Sequence, residues 1–351
     1  MAIKIDLEKA YDRVRWDFVE ASLNAASIPF FLVKVIMNAI SSSSMQVLWN
    51  GVPTQKFRPV RGIRQGCLLS PYLFILCMKW LGHRFHTGIS SGEWNPIRLS
   101  RRGPNLSHLF FADDLVIFSR ADLTHCGLFK TFLSNFCELS GHKVNARKTN
   151  IFFSSGVQES LKGEINVMLE FQEVSDLGHY LGVPLFHKRV TNGILNFLVE
   201  RVRSRLSNWD THRLSFAGRI TLANFILLAI LSYIMQSTLV PKGICDAIEV
   251  LARQFIWGAA EGKRKLALVG WNKICQPKMH GGLGFRRLED QNKAFMMKIG
   301  YSLITKSEAL WVQVLRAKYG LQDVLPDSIM KHRCSYMWNV VTKLGFCCAV
   351  I

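Results

Sequence analysis

Two adjacent carboxylates, Asp113 and Asp114, stand between an aromatic run, Phe110-Phe111-Ala112, and an apolar one, Leu115-Val116-Ile117-Phe118. The flanks read as strands, and the gap is short enough for one tight hairpin. Hairpin turns favour Asn-Gly or Asp-Gly because their central residues take positive φ. Asp-Asp has no such reason to be there. Like charges at a strand junction repel unless a cation neutralises them or they face open water. Two readings stay open on this stretch alone. One is a solvated acidic turn. The other is a site for a hard divalent cation such as Mg²⁺, which takes one or two carboxylates together with substrate phosphates.

Other residues of the same chemistry lie on either side. Ala2 to Leu7 reads as a strand carrying Asp6 near its end, and Asp12 follows Lys9-Ala10-Tyr11. A lone Asp at a strand end is ordinarily a helix N-cap. Arg58, Arg61 and Arg64, interspersed with Gly62 and Gly66, precede Ser70-Pro71. Ser70 is expected to cap a helix that begins at Pro71. The arginines suit phosphate or base contacts, and the glycines permit close approach of a ligand to the backbone. A plain basic loop capping a core helix explains the Ser-Pro but not the density of Arg and Gly. Three carboxylates, Asp6, Asp113 and Asp114, converging on two divalent ions would make a nucleotidyl-transfer site, where the ions clamp an in-line displacement at phosphorus.

The elements that must position these residues are legible in outline. Helical spacing runs from Trp16 to Ile40 with a break at Pro29, and Asn50-Gly51 marks a hairpin between strands near Met45 and Phe57. A helix follows Pro71. An amphipathic helix is expected over Leu123 to Leu139, and a basic turn from Ser140 to Asn150 feeds a strand Ile151-Phe152-Phe153. Tyr180 to Leu185 reads as a short strand or turn. Beyond His187 the pattern becomes helical, with Leu195, Leu198, Val202, Leu206 and Trp209 on one seam and Arg201, Arg203 and Arg205 off it. Helices are expected over Ile220–Thr238, Ile244–Trp257 and Ala294–Tyr319, with a basic turn at Gly262 to Lys265. Gly281-Gly282-Leu283-Gly284 reads as a turn rather than a phosphate loop, because no strand–helix unit surrounds it.

Composition narrows the partners. Lys and Arg total 44 against 25 Asp and Glu in 351 residues, a formal charge of +19, and 49% of residues are hydrophobic. A packed core with a strongly basic surface suits a polyanion, nucleic acid first and an anionic membrane second. The nine cysteines include no CxxC pair, which argues against a zinc ribbon or thioredoxin-type site and for reduced thiols inside a cell. Ile220 to Pro241 carries no charge and is expected to be a buried helix rather than a membrane span. No membrane partner is expected.

In order along the chain, Lys4-Ile5-Asp6 through Ala10-Tyr11-Asp12, Arg61-Gly62-Ile63-Arg64-Gln65-Gly66 with Leu69-Ser70-Pro71, Phe111-Ala112-Asp113-Asp114, Gly141 to Thr149, and Tyr180-Leu181-Gly182 resemble the palm motifs of reverse transcriptases. The likeness is greatest to the non-LTR, LINE-type retrotransposon branch found in plants, and the motifs span roughly residues 1–190. The resemblance implies an α+β fold: a right-hand polymerase palm, an antiparallel sheet with packed helices, followed by a helical thumb and connector. It implies residues 1–189 as palm with partial fingers, 190–260 as a thumb-like region and 261–351 as a mostly helical connector. It implies an RNA-directed DNA polymerase using two Mg²⁺ or Mn²⁺ ions, with an RNA template, a DNA primer and deoxynucleoside triphosphates as partners. Asp6, Asp113 and Asp114 would be the catalytic, metal-binding carboxylates, with the Leu7 carbonyl as a further metal ligand. Tyr11 would be the aromatic gate under the incoming sugar. Arg61, Arg64, Gln65, Gly66 and Lys148 would bind substrate and template. Tyr180, Leu181 and Gly182 would form the primer grip, and Arg201 and Arg205 would track the duplex backbone.

The sequence departs from the family pattern in two ways. Where the branch reads Gln-Gly-Asp-Pro-Leu-Ser-Pro, this chain has Gln65-Gly66-Cys67-Leu68-Leu69-Ser70-Pro71. It also begins at the first catalytic strand, so the expectation is an N-terminally truncated polymerase, impaired by loss of the fingers. The alternative is a catalytically inactive nucleic-acid-binding remnant of a retrotransposon polyprotein. By resemblance the protein is expected inside the cell, in the nucleus.

Overall fold

A computed structural model describes residues 1–185, 192–209, 213–258, 266–305, 308–321 and 334–345. They form two compact units, residues 1–99 with 105–185, and residues 100–104 with 186 onward. The boundaries expected at 189/190 and 260/261, and the basic turn at 262–265, lie outside the described residues.

The first unit opens with strand β1 (Ala2–Ile5) and a single helical turn, α1 (Ala10–Arg13). Helices α2 (Trp16–Ala25) and α3 (Phe30–Ser41) follow, parted by Pro29, whose fixed φ suits the residue before a helix. A hairpin of β2 (Leu48–Trp49) and β3 (Val52–Pro53) turns at Asn50 and Gly51, both at positive φ as such a turn requires. Then come α4 (Ser70–Ser90), β4 (His108–Phe111), β5 (Asp114–Phe118), α5 (Leu123–Ser140), β6 (Asn150–Phe152), α6 (Glu159–Leu169), β7 (Gln172–Glu173) and a last hairpin, β8 (His179–Tyr180) with β9 (Val183–Pro184).

Five strands make one sheet in the order β4-β5-β1-β6-β7, antiparallel except between β6 and β7. The register pairs Ile3 with Ile117 and Ile151, and Ile5 with Leu115, so these buried side chains share one face. That face joins a core with Phe74, Cys77, Leu81 and Phe85 of α4 and Phe129, Phe132 and Phe136 of α5. The alternation then forces Lys4 and Asp114 onto the opposite face, where Phe111 and Leu109 are exposed. The sheet therefore has a dry helical side and a second side that is covered at Ala2 and Val116 but open near Phe111 and Leu109.

The second unit is helical among the described residues: α7 (Asn192–Ser207), α8 (Phe216–Met235), α9 (Lys242–Ile256), α10 (Trp271–Ile274), a 3₁₀ turn at Lys278–His280, α11 (Leu288–Thr305), α12 (Leu310–Tyr319) and α13 (Tyr336–Gly345). The single helix expected over Ala294–Tyr319 is two, α11 and α12, separated before Leu310. α8 is the one described helix long and apolar enough to cross a membrane. It packs on α7, α9 and α11, burying Ala223, Ile226, Leu227 and Leu231, while Phe225 and Tyr233 stay exposed.

Candidate active site

The register that buries Ile5 also places Asp6. β1 pairs with β5 as far as Ile5 and Leu115, so Asp6 follows the last paired residue of β1 and Asp114 precedes that residue's partner. β4 and β5 close with Phe111 paired to Asp114, which makes Ala112 and Asp113 the two turn residues. The turn's positive φ falls on Ala112, at +50°, not on either carboxylate. A non-glycine residue there stores about 1 kcal/mol or more of backbone strain. Asp113 is exposed at the tip, and Asp114, the first residue of β5, is half-buried.

The helix-cap reading of Asp6 does not hold. The N-cap of α1 is Lys9, in a left-handed conformation, and no side chain caps that turn. The Asp6 backbone is fixed instead from the turn after α5. Its N–H donates to Thr149 Oγ1 (3.2 Å) and its carbonyl accepts from the Asn145 N–H (2.9 Å). Leu7 bridges to Val144, and the Glu8 N–H donates to the Lys143 carbonyl (2.9 Å). None of the Asp6, Asp113 and Asp114 side chains has a hydrogen-bond or ion-pair partner among the described residues.

Two tyrosines attend the pair. Tyr11 stacks on Phe74, centroids 4.6 Å apart, and its phenol is raised by burial and then by the charge of Asp113. The Tyr180 phenol is raised likewise by burial and then by Asp114. Both stay neutral O–H donors through the physiological range. The strand that carries Tyr180 is tied to β1 by Lys4, which donates from Nζ to the His179 carbonyl. Its hairpin turns at Leu181 and Gly182, at φ +52° and +76°.

The Arg–Gly loop is tied to the same segment through its middle. The Gly62 N–H donates to the Val14 carbonyl (2.7 Å), the Ile63 N–H to the Tyr11 carbonyl (2.9 Å), and Trp16 Nε1 to the Gly62 carbonyl (2.8 Å). Ile63 is buried, while Arg58, Arg61, Arg64, Gln65 and Gly66 are exposed. Ser70 is not the helix cap. It is the first residue of α4 and buried, and Leu69 holds the cap position and accepts from the Tyr72 and Leu73 N–H groups. The exposed Cys67 thiol is lowered by the backbone N–H groups of Leu69 and Ser70, then by the Ser70 hydroxyl and Arg64.

The structure gathers Asp6, Asp113, Asp114, Tyr11 and Tyr180 at one end of the sheet. Lys148 is exposed on the turn that fixes Asp6. Arg61, Arg64, Gln65 and Lys148 make no ion pair or hydrogen bond with the carboxylates. Sequence reasoning gave no role to Lys4, Phe74 or Thr149. Lys4 is signalled by sharing the alternating face of Asp6; the other two contacts are long-range and leave no local mark. Three unpartnered carboxylates at one sheet end are the hard oxygen donors that Mg²⁺ or Mn²⁺ prefers. Among the described residues, however, no three acidic, histidine or cysteine side chains are gathered closely enough to hold an ion.

The family profile of reverse transcriptases (RNA-dependent DNA polymerases) matches residues 1–185. A protein of Arabidopsis thaliana named for ribonuclease H is 37% identical over 142 residues, covering 40% of this chain and 23% of the relative. The R2DM retrotransposable-element Pol polyprotein of Drosophila melanogaster is 28% identical over 164 residues, covering 47% of this chain and 14% of that one. This chain thus spans a quarter or less of either relative. A solved telomerase of Candida albicans aligns over 89% of this chain and 49% of its own, at 12% identity and a TM-score of 0.37.

Proposed function

The chain belongs to the reverse transcriptase family, and from that premise we propose that residues 1–185 are the palm of an RNA-directed DNA polymerase that adds deoxynucleotides to a primer 3′-hydroxyl. The observation that supports this reading is that the β1–β5 pairing ends at Ile5 and Leu115, next to Asp6 and Asp114, with Asp113 exposed at the hairpin tip and none of the three carboxylates partnered among the described residues. Carboxylates left unpaired at one sheet end suit a divalent cation.

Asp6, Asp113 and Asp114, with the Leu7 carbonyl, would hold two Mg²⁺ or Mn²⁺ ions, which when bound neutralise phosphate charge and activate the attacking hydroxyl. The rest is positioning. Tyr11, flat against Phe74, forms a floor on which the incoming sugar rests and which a 2′-hydroxyl would strike. Lys148 and Arg61 meet the triphosphate, and Arg64, Gln65 and Gly66 line the template side. Tyr180, Leu181 and Gly182 seat the primer end on the exposed sheet face. Arg201 and Arg205 on α7 follow the duplex through its phosphates. Residues 190–260 serve as thumb and 261–351 as connector.

A second reading has an observation of its own. The carboxylate side chains are not gathered into a ligand cluster, as suits a nucleic-acid-binding remnant that no longer reacts. Single-nucleotide addition to a DNA primer on RNA templates separates the two. The polymerase reading expects only the deoxynucleotide complementary to the template base to be added. No addition by a folded protein bound to primer–template would favour the remnant, whereas addition that ignores the template would contradict both readings.

A further inference from the structure

The second unit carries a cleft for which the polymerase reading has no use. Its volume is about 680 Å³, within the usual ~300–1,000 Å³ of small-ligand sites. One wall is a single face of α11, where Asp290, Gln291, Ala294, Phe295 and Lys298 recur at helical spacing. The other wall is Asn272, Cys275 and the extended run Phe285-Arg286-Arg287.

The Gly281–Gly284 turn is what holds that run in place. The Leu283 N–H donates to the Ile274 carbonyl (2.9 Å), and the Gly284 N–H to the Gln276 carbonyl (3.1 Å). A Cβ on Gly282 would lie 1.9 Å from the Gln276 carbonyl oxygen, so only glycine fits. The turn binds no phosphate itself; it is a clamp that delivers two arginines to the cleft. The start of α11 is fixed as firmly, because the Leu288 N–H donates to Glu249 Oε1 (2.8 Å). Phe285 is buried with its ring 5.5 Å from that of Trp271. Gln291, also buried, is oriented by a bond from Nε2 to Ser232 Oγ (3.0 Å).

Charge decides the ligand. Arg286, Arg287 and Lys298 are exposed and make no ion pair among the described residues; Asp290 is the one acid in the lining, and Glu249 and Glu289 beside it lie within electrostatic reach of Arg287. A small inorganic anion would leave the aromatic walls and most of the volume unused. From this geometry we infer that the cleft binds a nucleotide unit, its base against Phe295 and its phosphate on Arg286, Arg287 and Lys298. Asn272, Gln291 and Asp290 offer donors and acceptors to the base edge. The same chemistry comes from a free nucleotide or from a nucleotide within a single strand. The inference does not depend on Asp6, Asp113 or Asp114.

The test is photocrosslinking of the full chain to a short single-stranded oligonucleotide carrying 5-iodouracil, with the adduct mapped by peptide mass spectrometry. An adduct is expected within residues 272–298, equally in wild type and in Asp113→Ala/Asp114→Ala. Arg286→Gln/Arg287→Gln should reduce it about tenfold or more through lost charge-assisted contacts, with the far-UV circular dichroism unchanged. Phe295→Leu, which keeps the helix and most of the volume, should reduce it severalfold. Competition by AMP would identify a free nucleotide as the source, and competition by unlabelled strand alone would identify a strand. Adducts only elsewhere, a yield indifferent to both variants, or equal competition by polyglutamate would overturn the proposal.

Discussion

The two adjacent carboxylates are not equivalent: Asp114 begins a strand and is half-buried, whereas Asp113 is exposed on the turn near Tyr11. Tyr11 is held by Phe74, so its ring is a fixed floor rather than a mobile side chain. Tyr11→Ala should therefore lower discrimination against ribonucleotides by about tenfold or more while leaving deoxynucleotide addition measurable; an unchanged ratio in single-nucleotide addition would remove Tyr11 from the gate. Phe74 also meets His142, which stacks on Phe136 and bonds through Nδ1 to Ser140 Oγ (2.8 Å). Burial pushes the His142 imidazole down from 6.5 to about 4. A depressed imidazole means that the unfolded chain takes up a proton the folded one refuses. Its stabilisation is present above the unfolded value and is lost as pH falls from 6.5 toward 4, by roughly 3 kcal/mol. Urea unfolding compared near pH 7 and pH 4.5 should show this loss, and His142→Phe should flatten it. An identical pH dependence in the variant would mean that other groups carry it. At this scale the carboxylates were legible because their chemistry is local, whereas Phe74, His142 and Thr149 act through contacts no local pattern announces.

The elements meet at the segment after β1, which is gripped from both sides by loops that sequence alone leaves unplaced. Gly62 approaches Asp12 so closely that a Cβ would lie 2.7 Å from its carbonyl oxygen, and its φ is +87°. Gly66 has φ +82° but open space around it. The two substitutions to alanine separate conformational strain from collision. Gly66→Ala should cost about 1 kcal/mol, and Gly62→Ala about 3 kcal/mol or more, read from urea midpoints. Equal losses would mean that the loop shifts freely and that its grip on Tyr11 is loose. The hairpin at Asn50-Gly51 was readable because a two-residue turn writes its own signal, and the one at Ala112-Asp113 from the apolar runs on either side of it. β7 was not, since Gln172 and Glu173 are polar and join the sheet only through a parallel pairing with β6. Ser70 lies one position inside the helix rather than at its cap, because the Leu69 carbonyl accepts from the Tyr72 and Leu73 N–H groups and no side chain caps α4.

Over the whole molecule the charge is unevenly written. No Asp or Glu occurs between Glu20 and Glu93, a stretch that includes Arg58, Arg61 and Arg64. With a net charge of +19, binding to an RNA–DNA duplex should weaken about a hundredfold or more between ~50 and ~200 mM salt, and be no weaker in Asp113→Ala/Asp114→Ala. Salt-insensitive binding, measured by fluorescence anisotropy, would contradict a phosphate-tracking surface. The palm order was legible because five separate motifs agree in sequence. If Asp6, Asp113 and Asp114 serve one metal-dependent reaction, the decisive measurement is extension of a DNA primer on an RNA template with Mg²⁺ or Mn²⁺, beside the Asp113→Ala/Asp114→Ala variant. Extension should require the metal and disappear in the variant. Extension that survives the variant, or none from a folded protein bound to the duplex, would contradict that shared role.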